Sequence, residues 1–310
     1  MQRLVSLSLL LLLAAGVRGQ QATNYSNIVT NYLMINPAVT GSSPCLDLKL
    51  GIRQQWSGFE GAPTGAFGVI HSTVGEKKRN FHGLGAMVET DDTGPISFTS
   101  IHALYAYHMK LTRNAQLSVG IAAGFEQYRF NYAELTLSNF NDPIITGGFQ
   151  QYLLPKINFG AWLYKSDRFI GVSFRNMVPN RITNFGEGSE ATRRMHFTLT
   201  AGKLVDMSED FTFRPAVQLM YVGRSRPSID MQAVVDYKEK LQVGLGFRTG
   251  YGLIGLIKVD VFDYVSIGYA YDLTLNRVRY ASPHTHEVII GIQACPKDGY
   301  GNRLPCAAYD

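Results

Sequence analysis

The sequence predicts an all-β fold: an antiparallel transmembrane β-barrel of about 14 strands, with an N-terminal extension and a short C-terminal tail. Three observations predict it. Apolar and polar residues alternate with a period of two through most of the chain. The connections between the alternating stretches are short at one end and longer at the other. Beyond the first residues, no apolar run approaches the roughly 20 residues of a spanning helix.

The elements follow in chain order. Met1-Gln2-Arg3 is a short positive segment, and Leu4 to Ala15 is an apolar stretch of twelve residues. That stretch is too short to span a bilayer and fits a secretory signal peptide. Val17-Arg18-Gly19 places small residues at −3 and −1 for cleavage before Gln20, so residues 1–19 are expected to be removed. No cysteine stands at the junction to carry a lipid anchor. Residues 20–44 are polar and turn-rich, and they read as an extension on the periplasmic side whose removal spares the barrel. The barrel itself is assigned to residues 45–294 and the tail to 295–310.

Strict alternation begins where Leu46, Leu48, Leu50 and Ile52 oppose Asp47, Lys49, Gly51 and Arg53. This is a strand with one apolar and one polar face. The pattern returns around 98–111, 116–126, 156–163, 170–175, 195–202, 213–219, 229–236, 241–248, 265–272 and 287–292, with less regular strands near 64–73, 82–90 and 252–259. Thr112-Arg113-Asn114, Lys165-Ser166-Asp167 and Lys238-Glu239-Lys240 are short turns, whereas roughly 133–153 and 177–193 are longer loops.

A soluble sandwich also alternates, but here the polar parity is crowded with Gly, Ser and Thr, which suits a barrel interior. Tyr105, Tyr107, Phe125, Phe211, Phe213, Tyr221, Tyr237, Tyr269 and Tyr271 fall on the apolar parity, as interfacial girdles require. Charged residues make up only 17% of the chain. The 29 basic and 24 acidic residues leave a net charge of +5, with no basic run long enough for nucleic acid. Eight inward cations, Lys49, Arg53, Lys110, Lys156, Arg175, Arg214, Arg248 and Lys258, face six inward acids, Asp47, Glu126, Asp230, Asp236, Asp272 and Glu287. An anion-selective pore would show a one-sided excess. Near balance predicts pairing across a plugged lumen.

No catalytic constellation stands out. The histidines are scattered, and His284-Thr285-His286-Glu287 is a weak metal signal in an extended segment. No cofactor is expected, and the chain reads as a non-enzyme. Cys45 lies just before the first strand and Cys295 just after the last. Closure of the barrel brings those positions together, so Cys45 is expected to bond Cys295, or Cys306 if the tail folds back. A Cys295–Cys306 pair is the alternative.

Three stretches carry a family resemblance. Asn36-Pro37-Ala38-Val39-Thr40-Gly41 resembles an "NPA-x-x-G" segment. Arg53-Gln54-Gln55-Trp56-Ser57-Gly58-Phe59-Glu60-Gly61-Ala62-Pro63 resembles an "R-x-QW-x-GF-x-GAP" signature. Gly268-Tyr269-Ala270-Tyr271-Asp272 with His286-Glu287 resembles a closing "GYAYD…HE" pair. Together they resemble the PorP/SprF family of type IX secretion system outer-membrane proteins of the Bacteroidetes. The resemblance implies an outer-membrane component of a protein secretion and gliding motility apparatus in a Gram-negative cell. It implies periplasmic ring proteins or a secreted surface adhesin as partners, and the motif residues as candidates for partner binding. Passage of a small or hydrophobic solute through a porin-like or transporter-like barrel is the alternative.

Overall fold

A computed structural model describes residues 25–43, 45–75, 80–131, 149–182, 191–223, 225–262, 264–280 and 284–294, with the single positions 282 and 306. The expected signal peptide, and the tail apart from Cys306, lie outside the described residues. Fourteen strands form the wall. They are β1 (Leu46–Gln54), β2 (Thr64–Val74), β3 (Phe81–Thr93), β4 (Ile96–Lys110), β5 (Gln116–Asn131), β6 (Phe149–Tyr164) and β7 (Arg168–Arg175). They continue as β8 (His196–Lys203), β9 (Phe211–Val222), β10 (Ser228–Tyr237), β11 (Leu241–Arg248), β12 (Gly252–Phe262), β13 (Val265–Thr274) and β14 (His284–Ala294). Each pairs antiparallel with its sequence neighbours. The ring closes between β1 and β14, with Leu46 opposite Ala294 and Gln54 opposite His286. Closure leaves no unpaired wall edge in lipid, which is what allows strands to span.

The period of two becomes two surfaces. Leu50, Ile52, Ile101, Phe125, Ile170, Val243, Leu245 and Ile290 are among many large apolar side chains exposed on the outside. Asp47, Arg53, His102, Ser118, Glu126, Asp230, Asp272 and Glu287 alternate with them and are buried inside. No described helix is long and apolar enough to cross a membrane; the crossing is made by strands.

Both chain ends of the wall share an end with short turns such as 111–115, 165–167 and 238–240. The opposite end carries the longer separations, between β1 and β2, β5 and β6, β7 and β8, and β13 and β14, together with the tight turns 94–95 and 249–251. Short turns mark the periplasmic end of such barrels and longer loops the outer end. Two boundaries differ from expectation. Residues 149–153, expected as loop, already belong to β6, which pairs with β5 along its whole length. The connection around 177–193 contains a short ladder between Arg181–Ile182 and Ala191–Thr192. The wall is uneven in height: β4, β5 and β6 have 15, 16 and 16 residues, whereas β7, β8 and β11 have 8 each.

The largest departure concerns the N-terminal extension. Over its described residues it does not lie beside the barrel; it runs through the lumen. It contains a one-turn helix, α1 (Tyr32–Ile35), followed by a 3-10 turn at Pro37–Val39. Tyr32, Leu33, Met34, Ala38 and Val39 pack on Phe67, Val69, Met87, Leu104, Ala122, Trp162 and Phe169 from the inner wall. Ile28 and Val29 pack on Ala216, Val234, Ile254, Leu256 and Ala270. The physical reason is the inner face itself. These wall residues sit on the inward parity among polar ones, and bare they would expose apolar surface to lumen water.

Candidate functional site

The described part of the N-terminal segment, residues 25–43, is a plug, and the motifs of the sequence converge on it. At its periplasmic half, Asn36 acts as a local staple. Its Oδ1 accepts from the Ala38 backbone N–H at 3.0 Å, capping the 3-10 turn. Its Nδ2 donates to the carbonyls of Ala161 at 3.1 Å and Val172 at 2.9 Å, reaching strands β6 and β7. Pro37 opens the turn, where its missing N–H costs nothing. Gly41 adopts a φ of 75°, a conformation that favours glycine, and its N–H donates to His71 Nδ1 at 3.0 Å. Thr73 Oγ1 donates to the carbonyls of Gly41 at 3.1 Å and Ser43 at 3.0 Å. Ser118 Oγ donates to Ala38 O at 2.6 Å, and His108 Nε2 reaches Thr40 O at 2.8 Å.

The wall makes room for this backbone with glycine. A Cβ at Gly120 would lie 2.5 Å from Ala38 Cα, one at Gly83 2.0 Å from Thr40 O, and one at Gly160 1.9 Å from Asn36 Oδ1. The inward small residues therefore form a seat for the plug.

The outer end is held differently. Register places Arg53 directly opposite Glu287 at the closing seam. Arg53 donates to Glu287 Oε2 at 3.2 Å and to Asp272 Oδ2 at 2.8 Å, and all three side chains are at most 2% exposed. Tyr251 OH and Ser26 Oγ also accept from Arg53. The plug completes the cluster. Ser26 N–H donates to Glu287 Oε2 at 2.7 Å, Asn27 N–H donates to Oε1 at 3.1 Å, and Ser26 Oγ donates to Asp272 Oδ2 at 2.6 Å. Arg248 donates to Tyr25 O at 2.9 Å while pairing with Asp230 at 2.6 Å. Two carboxylates face one guanidinium, and plug N–H and O–H donors supply part of the difference, so the wall's motif charges lose partners when the plug is absent.

The remaining motif residues separate from this cluster. Gln55, Trp56, Gly58, Phe59, Gly61 and Pro63 form the β1–β2 loop at the outer end. Gln55 N–H donates to Pro63 O at 2.9 Å, and Trp56 N–H donates to Thr285 Oγ1 at 3.1 Å. Gly58 and Gly61 take positive φ, and Phe59 is exposed. Tyr269, Tyr271 and His286 face outward. Tyr269 OH meets His286 Nδ1 at 2.7 Å, and Tyr271 OH meets His284 Nδ1. These pairs belong to an aromatic girdle rather than to a metal centre. Among the described residues no group of three or more His, Cys, Asp or Glu could hold a metal ion. Cys45 is disulfide-bonded. Cys295 lies outside the described residues, and Cys306 is buried in the cluster with Tyr32 and Leu33.

The inward charges pair mostly along one strand or between neighbouring strands, not across the lumen as expected; Arg175 with Glu89 reaches further, from β7 to β3. Lys49 meets Asp47 at 3.3 Å, Lys156 meets Glu126 at 2.8 Å, Arg214 meets Asp236 at 3.3 Å and Lys258 meets Asp260 at 2.9 Å. Glu89 and Arg193, absent from the sequence-derived set, join this system. Glu89 accepts from Arg175 at 3.5 Å, and Arg193 pairs with Glu126. Ser26, His71, His108 and Ser118 were also outside that set. One signal was available for the plug as a whole: Phe67, Val69, Leu104, Trp162 and Ile254 alternate onto the lumen side.

Among the described residues, two clefts lie between plug and wall. The outer one encloses about 760 Å³ continuous with solvent, between residues 25–35 and the outer ends of β7 to β11. The second, of about 610 Å³, includes Lys49, Arg214 and Lys258 in its lining.

A family model described as "Type IX secretion system membrane protein PorP/SprF" matches residues 17–292. No curated protein matches the chain. Among solved structures, the chain is similar to a TodX deltaS2S3 mutant monoaromatic hydrocarbon channel, with 10% identity and a TM-score of 0.55 over 91% of this chain and 98% of that one. It is similar to the Pseudomonas putida toluene transporter TodX, with 9% identity and a TM-score of 0.52 over 88% and 95%. It is also similar to a Pseudomonas aeruginosa FadL homologue, with 9% identity and a TM-score of 0.50 over 89% and 95%. At such identities the likeness is one of fold.

Proposed function

Because the chain belongs to the PorP/SprF family of type IX secretion system membrane proteins, we propose that it serves that apparatus as a non-catalytic scaffold, binding other proteins from a plugged barrel. It is an outer-membrane protein: its wall is a closed barrel with an apolar outer face. The observation that carries the scaffold reading is the plug. Residues 25–43 fill the lumen and are bonded into the wall at both ends, by Asn36, Gly41 and Thr40 below and by Ser26 and Asn27 above. A conduit needs weak, replaceable contacts along its path; this lumen is instead occupied by the chain's own backbone. The partners this reading names are periplasmic ring proteins of the secretion system or a secreted surface protein used in gliding.

Passage of a small or hydrophobic solute is the second reading. It is favoured by the shared fold with proteins described as hydrocarbon channels and a toluene transporter, and by the clefts left beside the plug. Mild-detergent extraction of outer membranes, followed by affinity capture of this chain, separates the two. Co-purifying secretion-system ring proteins or one large surface protein support the scaffold. A lone barrel that conducts in planar bilayers supports the conduit and overturns the scaffold.

A further inference from the structure

The charge balance of the lumen as a whole does not extend to the space that the plug leaves open. Arg175, His196, Arg226 and Arg248 line the outer cleft, and no described Asp or Glu lines it. Glu89 accepts from Arg175 and Asp230 pairs with Arg248, so the cation that carries the surplus charge of the cleft is Arg226, with Arg175 and Arg248 held in place beside it. Arg226 is exposed on the β9–β10 connection. Two amide side chains line the same cleft. Asn31, on the plug, is 1% exposed, and neither its Nδ2 nor its Oδ1 has a hydrogen-bond partner. Gln218, on β9, is 4% exposed, and its Oε1 is likewise unpartnered. Buried amides are normally satisfied, so a site with three such atoms beside three guanidinium groups is built for something that fits.

We propose that the outer cleft binds an acidic peptide segment of an exported protein. This deepens the scaffold reading and rests on it. Guanidinium groups match carboxylates through paired N–H···O bonds, a match that Lys cannot reproduce. Asn31 Oδ1 and Gln218 Oε1 are acceptors, and they need N–H or O–H donors. A bare carboxylate supplies none and a hydrogen phosphate supplies little beyond a single P–O–H, whereas a peptide backbone carries an N–H and a C=O at nearly every residue and can serve both amides at once. The cleft therefore calls for a ligand with carboxylates for the arginines and peptide groups for the amides. It lies at the outer end, on the side from which a surface protein would approach. Charge of opposite sign steers such a segment in and makes its capture sensitive to salt.

The test uses the purified full chain in detergent and a fluorescein-labelled (Asp-Gly)5 peptide, read by anisotropy. A (Lys-Gly)5 peptide serves as the charge control, with oligogalacturonate and inorganic phosphate as competitors. The acidic peptide is expected to bind, and to weaken at least tenfold between 50 and 500 mM NaCl. Arg226→Gln combined with Gln218→Leu is expected to weaken it at least tenfold. Arg226→Glu alone is the second variant, since an exposed side chain can be reversed without disturbing the fold. Retention of the folded band on unheated gels confirms each variant. Equal binding of the basic peptide, unchanged affinity in folded variants, or displacement by galacturonate or phosphate at equal charge would each overturn the proposal. Affinity capture reads the scaffold separately. If partners co-purify but the peptide does not bind, the cleft assignment falls alone. If the peptide binds but no partner co-purifies, the scaffold falls.

Discussion

The periplasmic half of the plug sits backbone against glycine, whereas its outer end sits among buried charges. Below, Gly83, Gly120 and Gly160 let Thr40, Ala38 and Asn36 approach closer than any side chain would permit. The bonds there are mostly neutral ones, from Asn36, Thr73 and Ser118. Above, Arg53, Asp272 and Glu287 are buried, and they include plug atoms in their network. The lower seat selects by shape and the upper by electrostatics, so the two should fail in different ways.

Removing both seats has the largest expected effect. A chain lacking residues 25–43 still closes its wall, because β1 to β14 pair without them, but its lumen fills with water. Planar-bilayer recordings should change from silent to steadily conducting, and a silent deletion variant would refute the plug. Next is the charged seat. Arg53→Met leaves two buried carboxylates without their cation and should cost about 3–5 kcal/mol, measured as a lower urea midpoint of the gel-shift transition. Adding Asp272→Asn and Glu287→Gln should restore much of that loss; a triple variant no better than the single would show that charge is not what holds the outer end.

The shape seat should respond less. In Gly120→Ala the new methyl meets the Ala38 backbone, and overpacking of this kind costs about 1–3 kcal/mol. The asparagine and glutamine changes that rescue Arg53→Met should do nothing for it, and rescue there would merge the two seats into one. Smallest is Thr73→Val, which deletes the hydroxyl bonded to Gly41 O and Ser43 O. About 1 kcal/mol is expected, seen as faster protease access to residues 25–43 with the wall intact.

The wall was legible because each strand repeats one rule. Leu50, Ile52, Ile101 and Val243 lie outside and Asp47, Arg53, Ser118 and Glu126 inside, as the period of two requires. Pairing of the inward charges was legible for the same reason. The plug was not, because it has no period. Ser26, Asn27, Asn31, Asn36, Thr40 and Ser42 are polar residues that are nonetheless buried, and in sequence they look like a solvated extension. Their burial depends on strands that follow far along the chain. The candidate site was half legible. Asn36, Arg53, Asp272 and Glu287 do meet one network or the other, but nothing local assigns Tyr269 and His286 to the outer face and Glu287 to the inner except parity. Glu89 escaped through an irregular strand, and Arg193 through its place in a loop.

The uneven wall has a consequence for how the molecule sits in its bilayer. Strands of 8 residues at the usual tilt rise about 20 Å, against about 40 Å for strands of 16. The apolar band of such a membrane is about 25 Å tall. Lipid beside β7, β8 and β11 must therefore thin or the cylinder must lean, while β4 to β6 stand clear of the headgroups as a parapet. The outer cleft is lined by β7 to β11, which include the three shortest strands of the wall. The arginines of that cleft therefore sit where the wall crosses the membrane with the least strand to spare.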